Sequence, residues 1–194
     1  MKKLQYNSPV ILTFFIVSFV SLMLGMLTGS RTTVAIFSVY RSSMTDPLTY
    51  LRFFGHVLGH ADAEHFLSNM LLLLVVGPPL EEKYGSKTLL TGIVLTAFVS
   101  GLLHFIFFPR AALLGASGIV FMLIMLASLS GMDSGKIPLT LVIVAALYFG
   151  KEIYSMIFIS DSVANFIHMV GGACGTAFGF YLGKKGVRRR KTQP

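Results

Sequence analysis

The chain has 194 residues, of which 54% are hydrophobic and 12% are charged, and its mean hydropathy is +0.76. This composition excludes an ordinary soluble domain and predicts a membrane protein, because a helix crosses a bilayer with about 20 mostly apolar residues. The formal net charge is +8. The basic cluster at the C-terminus of the chain directly follows an apolar stretch, and this arrangement is more typical of contact with lipid headgroups than of nucleic-acid binding. We therefore expect membrane lipids as partners and no nucleic acid.

Six apolar stretches are long enough, or nearly so, to cross a bilayer. In chain order they predict membrane spans at about residues 8–29, 61–81, 88–109, 112–132, 137–159 and 162–183. The first stretch is longer than the core of a usual signal peptide and lacks a convincing cleavage site, so we expect a retained helix. Residues 184–194 form a basic tail. The whole of 1–194 is predicted to be a single all-α, polytopic membrane domain.

The distribution of charge predicts the orientation in the membrane. Six spans place both termini on one side, and that side would carry eleven Lys or Arg residues against four on the other. By the positive-inside rule, both termini are predicted to be cytoplasmic. The second, fourth and sixth spans then run from outside to inside. Their N-terminal ends carry unusual polar residues, in the sequences GHVLGHADAEHFLSN, GASG and ANFIH.

A serine and a histidine are predicted to lie at similar depths in two of these spans. At 1.5 Å per residue, Ser117 would lie roughly 9 Å below the start of its span, and His168 about as deep in its own. His168 shares a helix face with glycines at every fourth position, namely Gly171, Gly175, Gly179 and Gly183. Such a stripe is more typical of a helix-packing seam than of a site. An ionisable side chain inside a membrane, however, indicates a function.

Three motifs occur in a fixed order along the chain. They are HxxxHxxxxHxxxN (His56, His60, His65, Asn69), GxSG (Gly115 to Gly118), and ANxxH followed by GxxxG (His168, Gly171, Gly175). Together the motifs resemble the rhomboid intramembrane serine proteases, specifically the compact six-helix bacterial form, from about Arg52 to Gly183. Each motif alone is weak, but all of them on three spans of the same direction are specific. The resemblance implies a rhomboid-like bundle of six transmembrane helices in the bacterial inner membrane.

The resemblance also implies a role for each motif residue. Ser117 would be the nucleophile and His168 the general base, with no orienting carboxylate. The oxyanion would be stabilised by His65, Asn69 and the backbone N–H of Ser117; one helical turn separates His65 from Asn69, so both can face one point. Supporting residues would be Gly115, Gly118, His60, Phe121 and Gly171. The substrates would be single-span membrane proteins, cleaved in the outer third of the bilayer, and no cofactor is implied.

The chain departs from the family pattern at two places near the expected site. Phe121 stands where a tyrosine is often found, which keeps a ring beneath His168 but removes the hydroxyl. Lys151 and Glu152 interrupt the fifth span. These two charged residues either reach toward the outer interface or line a water-filled mouth of the site.

Three other functions were weighed against proteolysis. A zinc site could use His56 and His60, but HExxH is absent and a catalytic zinc would leave Ser117 and His168 without a role, so no metal is expected. A catalytically inactive rhomboid-like binding or quality-control protein would usually lack the serine or the histidine. A small membrane transporter should show an internal repeat with matching broken helices, and the sequence shows none. Hydrolysis that depends on Ser117 would separate these alternatives.

Overall fold

A computed structural model describes residues 5–130, 136–158 and 162–191 of the chain. Within these ranges the chain is helical, and its one β-type pairing is an isolated bridge between Val39 and Leu113. The predicted all-α fold class is therefore confirmed. The helices in chain order are α1 (Pro9–Leu27), α2 (Arg31–Ile36), α3 (Pro47–Gly55), a short 3₁₀ turn (His56–Leu58), α4 (Ala63–Tyr84), α5 (Ser86–Phe107), α6 (Ser117–Leu129), α7 (Leu139–Phe158) and α8 (Ser162–Lys191).

Four segments in the described ranges are long and apolar enough to cross a membrane. They are Pro9–Leu27, Ala63–Tyr84, Ser86–Phe107 and the part of α8 from Val163 to Gly183. The chain is therefore a multi-pass membrane protein. Helix α6 is apolar but has 13 residues, fewer than a full crossing needs. The count of six spans stays a prediction, and the side chains of Lys151 and Glu152 lie outside the described part of the chain.

Helix α6 lies at the centre of the bundle. It contacts α4, α5, α7 and α8, and its contact with α8 is the most extensive in the molecule. Apolar residues occur on every face of α6, which is typical of a helix buried on all sides. The fully buried side chains include Ile119, Met122, Leu123 and Leu126. The centre of the bundle is thus the helix that begins with Ser117.

The glycines of α8 form the predicted seam with α6. A Cβ atom on Gly171 would overlap the carbonyl oxygen of Gly118, and one on Gly175 would overlap the carbonyl oxygen of Met122. A Cβ on Gly179 would lie 2.5 Å from the Leu129 side chain. The two helices therefore approach with backbone against backbone, as small residues allow. The prediction that these glycines form a packing seam is confirmed.

The start of α6 differs from the sequence expectation. Residues 112–116 were counted as helix, but α6 begins at Ser117. Leu113 instead pairs with Val39 through two backbone hydrogen bonds of 2.9 and 2.8 Å, and the Gly115 N–H donates to the His56 carbonyl at 2.9 Å. Gly115 has a φ of 121°, which is incompatible with a right-handed helix. Ser117 is therefore the first residue of its helix and does not lie one or two turns inside it.

Glu81 connects the end of α4 to the starts of α1 and α5, at the end of the bundle away from Ser117. Its carboxylate accepts hydrogen bonds from the N–H groups of Val10 and Ile11 in the first turn of α1, each at 3.0 Å. The Ser86 hydroxyl at the start of α5 donates to the same carboxylate at 2.7 Å. A carboxylate is stabilised at a helix N-terminus by the free N–H groups there. The first turns of α1 and α5 are thereby fixed at one level beside the end of α4.

Candidate active site

One cavity contains residues from all three sequence motifs. It has a volume of about 760 Å³ and lies between α4, the extended segment 111–114, α6 and the start of α8. Ser117, His168, His65, Asn69 and Phe121 all line it. Residues more than 100 positions apart in sequence therefore share one chamber. Of the predicted supporting residues that do not line the cavity, Gly115 and His60 contact His65, Gly118 contacts Ile167, and Gly171 packs on Gly118.

Ser117 occupies the first position of α6. The first helical hydrogen bond of α6 runs from the Val120 N–H to the Ala116 carbonyl at 2.9 Å. The N–H groups of Ser117, Gly118 and Ile119 therefore precede the hydrogen-bonded part of the helix. Together with the helix dipole, such free N–H groups create a positive potential that favours an anion. The serine hydroxyl thus lies beside a group of donors suited to negative charge.

The ring of His168 is held by stacking. It lies parallel to the ring of Phe121, with 4.2 Å between the ring centroids and 9° between the planes. Phe121 lies one turn after Ser117 on α6, so the contact spans the seam between α6 and α8. The neighbouring Ile167 packs against the backbone at Gly118, where an added Cβ would lie 3.2 Å from its side chain. The seam therefore fixes the histidine ring relative to the serine-bearing helix.

The opposite wall of the cavity is formed by α4. Asp62 caps this helix by accepting a hydrogen bond from the His65 N–H at 2.8 Å. One N–H of the Asn69 amide donates to the His65 carbonyl at 3.0 Å, which leaves the second N–H for another acceptor. A Cβ on Gly115 would lie 2.7 Å from His65 Nε2 and 4.0 Å from Asn69 Nδ2. Both side chains therefore approach the backbone just before Ser117, and only glycine fits there.

Two further histidines support the α4 wall and the loop before it. His60 is buried, and its ring makes edge contacts with His65 at 5.2 Å and with Phe66 at 5.3 Å. Burial, helped by the nearby His65, lowers the pKa of His60 to about 4. Burial likewise lowers the pKa of His56 to about 4, and the His56 carbonyl holds the N–H of Gly115. Both histidines are therefore neutral near pH 7 and act in packing.

The sequence motifs missed several residues that shape the site. His104, at the end of α5, is buried, and its Nε2 lies 3.0 Å from the carbonyl oxygen of Ala111 in the extended segment. Ser68 lines the cavity and donates to the His65 carbonyl at 3.0 Å. Ser68 could have been predicted, because it lies three residues after His65 on α4. Nothing in the sequence indicated His104, because it belongs to none of the motifs.

The histidines of the first motif bear on the alternative of a metal site. Among the residues that the structure describes, no three His, Cys, Asp or Glu side chains are grouped so as to hold a metal ion. His60 and His65 meet by ring contact, edge to face. The expectation that the protein uses no metal stays a prediction.

Comparison with known proteins gives a consistent result. The family model described as the rhomboid domain matches residues 47–185. Rhomboid-related protein 2 of Mus musculus is 30% identical over 159 residues, which cover 71% of this chain and 52% of the relative. Rhomboid-related protein 1 of Caenorhabditis elegans is 33% identical over 143 residues, or 68% of this chain and 39% of the relative.

A bacterial relative is similar to the same extent. Rhomboid protease GlpG of Enterobacter sp. (strain 638) is 30% identical over 138 residues, which cover 66% of this chain and 47% of the relative. The chain therefore matches about half or less of the length of each of these relatives. The family match, by contrast, covers most of the chain and includes all three motifs. The chain belongs to the rhomboid family.

Proposed function

We propose that this chain is an intramembrane serine endopeptidase that cleaves transmembrane proteins, with Ser117 as nucleophile and His168 as general base. The observation that carries the proposal is the cavity that Ser117 and His168 line together with His65 and Asn69. The named activity of one relative, a rhomboid protease, supports the same reaction class. A serine, a histidine and a group of N–H donors around one cavity are the parts that acyl transfer needs.

Each group has a defined chemical task in this proposal. The Ser117 hydroxyl attacks the carbonyl carbon of the scissile peptide while His168 accepts its proton. The resulting tetrahedral intermediate collapses when His168 returns that proton to the leaving amine. Water then attacks the acyl-enzyme carbonyl while His168 accepts a proton from it, and His168 returns that proton to the Ser117 oxygen as the ester bond breaks and the acid product leaves. Phe121 keeps the His168 ring in one orientation through its stacking contact, so little ordering remains to be done during the reaction.

The negative charge of the intermediate is met from two sides. The backbone N–H of Ser117 supplies one donor at the start of α6, where the helix dipole is favourable. The second N–H of the Asn69 amide and the His65 ring supply the others from α4, since both approach Gly115. Donors fixed in advance need no reorganisation when the charge develops, and each is worth about 10² to 10³ in kcat.

The walls of the cavity also suggest how a substrate enters. Leu72 lines the cavity and is exposed, as are its α4 neighbours Leu67, Leu71 and Val75. This apolar face would receive a substrate helix from the lipid. The extended segment contributes the small side chains of Ala111 and Ala112, which would favour small residues at the cleaved bond. A substrate helix must unwind to expose its carbonyl, so Gly or Pro near the cleavage depth should promote cleavage.

The location that follows is the inner membrane of a bacterium, with both termini in the cytoplasm and the cavity toward the outer side. Eleven of the sixteen Lys and Arg residues would then lie on the cytoplasmic side. In this orientation cleavage occurs in the outer third of the bilayer. Moving a Gly-Pro pair from the cytoplasmic to the outer third of a leucine-rich test helix should raise cleavage. Equal cleavage of both test helices would contradict the proposed depth.

The proposal is tested by cleavage in liposomes that contain a generic single-span substrate. Wild-type protein is compared with Ser117→Ala and with Ser128→Ala, a change on the same helix at a hydroxyl that donates to the Ile124 carbonyl. We expect Ser117→Ala to abolish cleavage and Ser128→Ala to retain it. Cleavage that survives Ser117→Ala would overturn the assignment, and a wild type without activity would favour an inactive binding protein or a transporter.

A further inference from the structure

A second cavity lies on the other side of the bundle, away from Ser117. This α1–α5 groove has a volume of about 470 Å³ and is bordered by the first turns of α1 and α5. At the end away from these first turns, the groove is lined by Phe54 of α3 and by Val57 and Leu58 of the 3₁₀ turn. The proposed reaction makes no use of this groove.

The groove is apolar and open on its outer side. Among the described residues that line it, the hydroxyl-bearing ones are Thr13 and Ser86, and the Ser86 hydroxyl donates to Glu81. The wall residues Val17 and Val94 are 40% and 43% exposed, so the groove opens sideways from the bundle. In a membrane-spanning protein this opening faces lipid, and a ligand inside it must be hydrocarbon.

The length of the groove matches one leaflet. The α1 wall rises about 12 Å from Pro9 to Val17, and the α5 wall about 16 Å from Ser86 to Ala97. One leaflet contributes about 15 Å to the hydrocarbon core of a bilayer. Both walls begin at the same level, because Glu81 binds the first turn of each helix. The groove therefore runs from the membrane interface to about the middle of the bilayer.

The charges at the interface end favour an anionic headgroup. Lys83 and Lys87 are exposed beside the start of α5, and the acidic residues next to them in sequence are Glu81 and Glu82. The Glu81 carboxylate is already met by two N–H groups and a hydroxyl. One exposed acidic and two exposed basic side chains remain, on the side of the membrane where the sequence places most Lys and Arg residues.

We propose that the α1–α5 groove binds one acyl chain of an anionic phospholipid, whose headgroup lies beside Lys83 and Lys87. A bound chain would fill the groove along its length and contact the 3₁₀ turn at its inner end. The His56 carbonyl of that turn holds Gly115, so the lipid would stabilise the loop beside the catalytic cavity. The site itself does not depend on the proposed protease activity.

The test is native mass spectrometry of the delipidated full chain in detergent, titrated with palmitoyl-oleoyl phosphatidylglycerol. Val94→Trp and Val17→Trp fill the groove from its two walls. Leu95→Trp and Val20→Trp are the matched controls, because these neighbours are 52% and 49% exposed but do not line the groove. We expect one retained lipid in the wild type and in both controls. Each groove variant should bind it about tenfold more weakly, since displacing roughly two methylenes suffices for that.

Several results would overturn the proposal. Retention unchanged in both Val94→Trp and Val17→Trp, or no retained lipid in the wild type, would show that the groove is not a lipid site. Either of two results would contradict the anionic headgroup: equal retention of phosphatidylcholine with the same chains in the wild type, or a preference for phosphatidylglycerol that Lys87→Gln leaves unchanged. A dimer of the delipidated chain that Val94→Trp abolishes would identify the groove as a contact between copies of the protein.

Discussion

The cavity wall that carries Ser117 and His168 is held by contacts between helix backbones, whereas the wall that carries His65 and Asn69 is held by side chains. On the first wall, the backbones of α6 and α8 meet at Gly118 and Gly171. A Cβ atom on Gly171 would overlap the carbonyl oxygen of Gly118. On the second, α4 faces Gly115 through a histidine ring and an amide, and its outer face is exposed. The difference indicates that the proposed reacting pair is fixed by close packing, while the α4 wall would leave room for a substrate.

The most damaging change should be one that separates the backbones of α6 and α8. Gly171→Ala would force a methyl group into the Gly118 carbonyl, and neither backbone can move without opening the seam. We expect loss of cleavage and a drop of about 3 kcal/mol in the free energy of unfolding, measured by thermal unfolding in detergent. Gly150→Ala in α7 is the control, because a Cβ there meets no atom of the described residues within 4 Å. A Gly171→Ala protein as stable as the Gly150→Ala protein would disprove close packing at the seam.

Changes on the α4 wall should reduce the rate and leave the fold intact. Asn69→Ala removes one proposed oxyanion donor, and His65→Ala removes another, so each should lower kcat by about 10² to 10³. Both variants should stay folded, with thermal unfolding changed much less than in Gly171→Ala. Ser68→Ala, on the same face of α4, should leave kcat within a few fold. If Asn69→Ala turned over as fast as Ser68→Ala, Asn69 would lose its assigned role.

Acid should destabilise the loop and the α4 wall through their buried histidines. The pKa of His56 and of His60 is lowered from 6.5 to about 4 by burial, so the unfolded chain binds protons that the folded chain rejects. Stability is therefore complete above about pH 6.5 and falls as the pH is lowered toward 4, by about 2 kcal/mol for each histidine near pH 5. His60→Phe keeps the ring contacts and should make the loss of stability at low pH less steep. An unchanged pH dependence in this variant would contradict a neutral, buried His60.

The smallest effect on activity is expected from the loss of the Phe121 ring, which stacks on His168 across the seam between α6 and α8. Phe121→Leu removes the ring that stacks on His168 at 4.2 Å. An aromatic contact is worth roughly 0.5 to 1.5 kcal/mol, so kcat should fall by about tenfold at most, with little change in KM. Phe121→Tyr keeps the ring and should retain activity. A Phe121→Leu enzyme with normal kcat would show that the stacking does not position His168.

Much of the site could be predicted because its residues are unusual for a membrane span. A histidine at position 168, or a serine between glycines at 115 and 118, is conspicuous in an apolar sequence, and the rise per residue of a helix predicted similar depths for the two. The glycine stripe of α8 likewise predicted a close seam, because missing side chains at every fourth residue lie on one helix face. These signals are local in sequence.

The features that escaped prediction depend on contacts between distant parts of the chain. Residues 112–116 are as apolar as the helix that follows, and their extended form depends on the pairing of Leu113 with Val39 and on the positive φ of Gly115. Helices α2 and α3 lie between the first two predicted spans and are too short to cross a membrane, so the length of apolar stretches did not indicate them. His104 became relevant only because the extended segment passes beside its ring.

The central claim is that Ser117 and His168 act as one catalytic unit in the cavity between the two walls. It is tested most directly by kcat for Ser117→Ala, His168→Ala and the double variant, measured in liposomes with one transmembrane substrate. Residues that act as a unit lose their contribution when either is removed. We therefore expect each single variant to lose all measurable cleavage and the double variant to be no slower than either. Residual rates that fall further, and multiplicatively, in the double variant would show that the two residues act independently and would contradict the dyad.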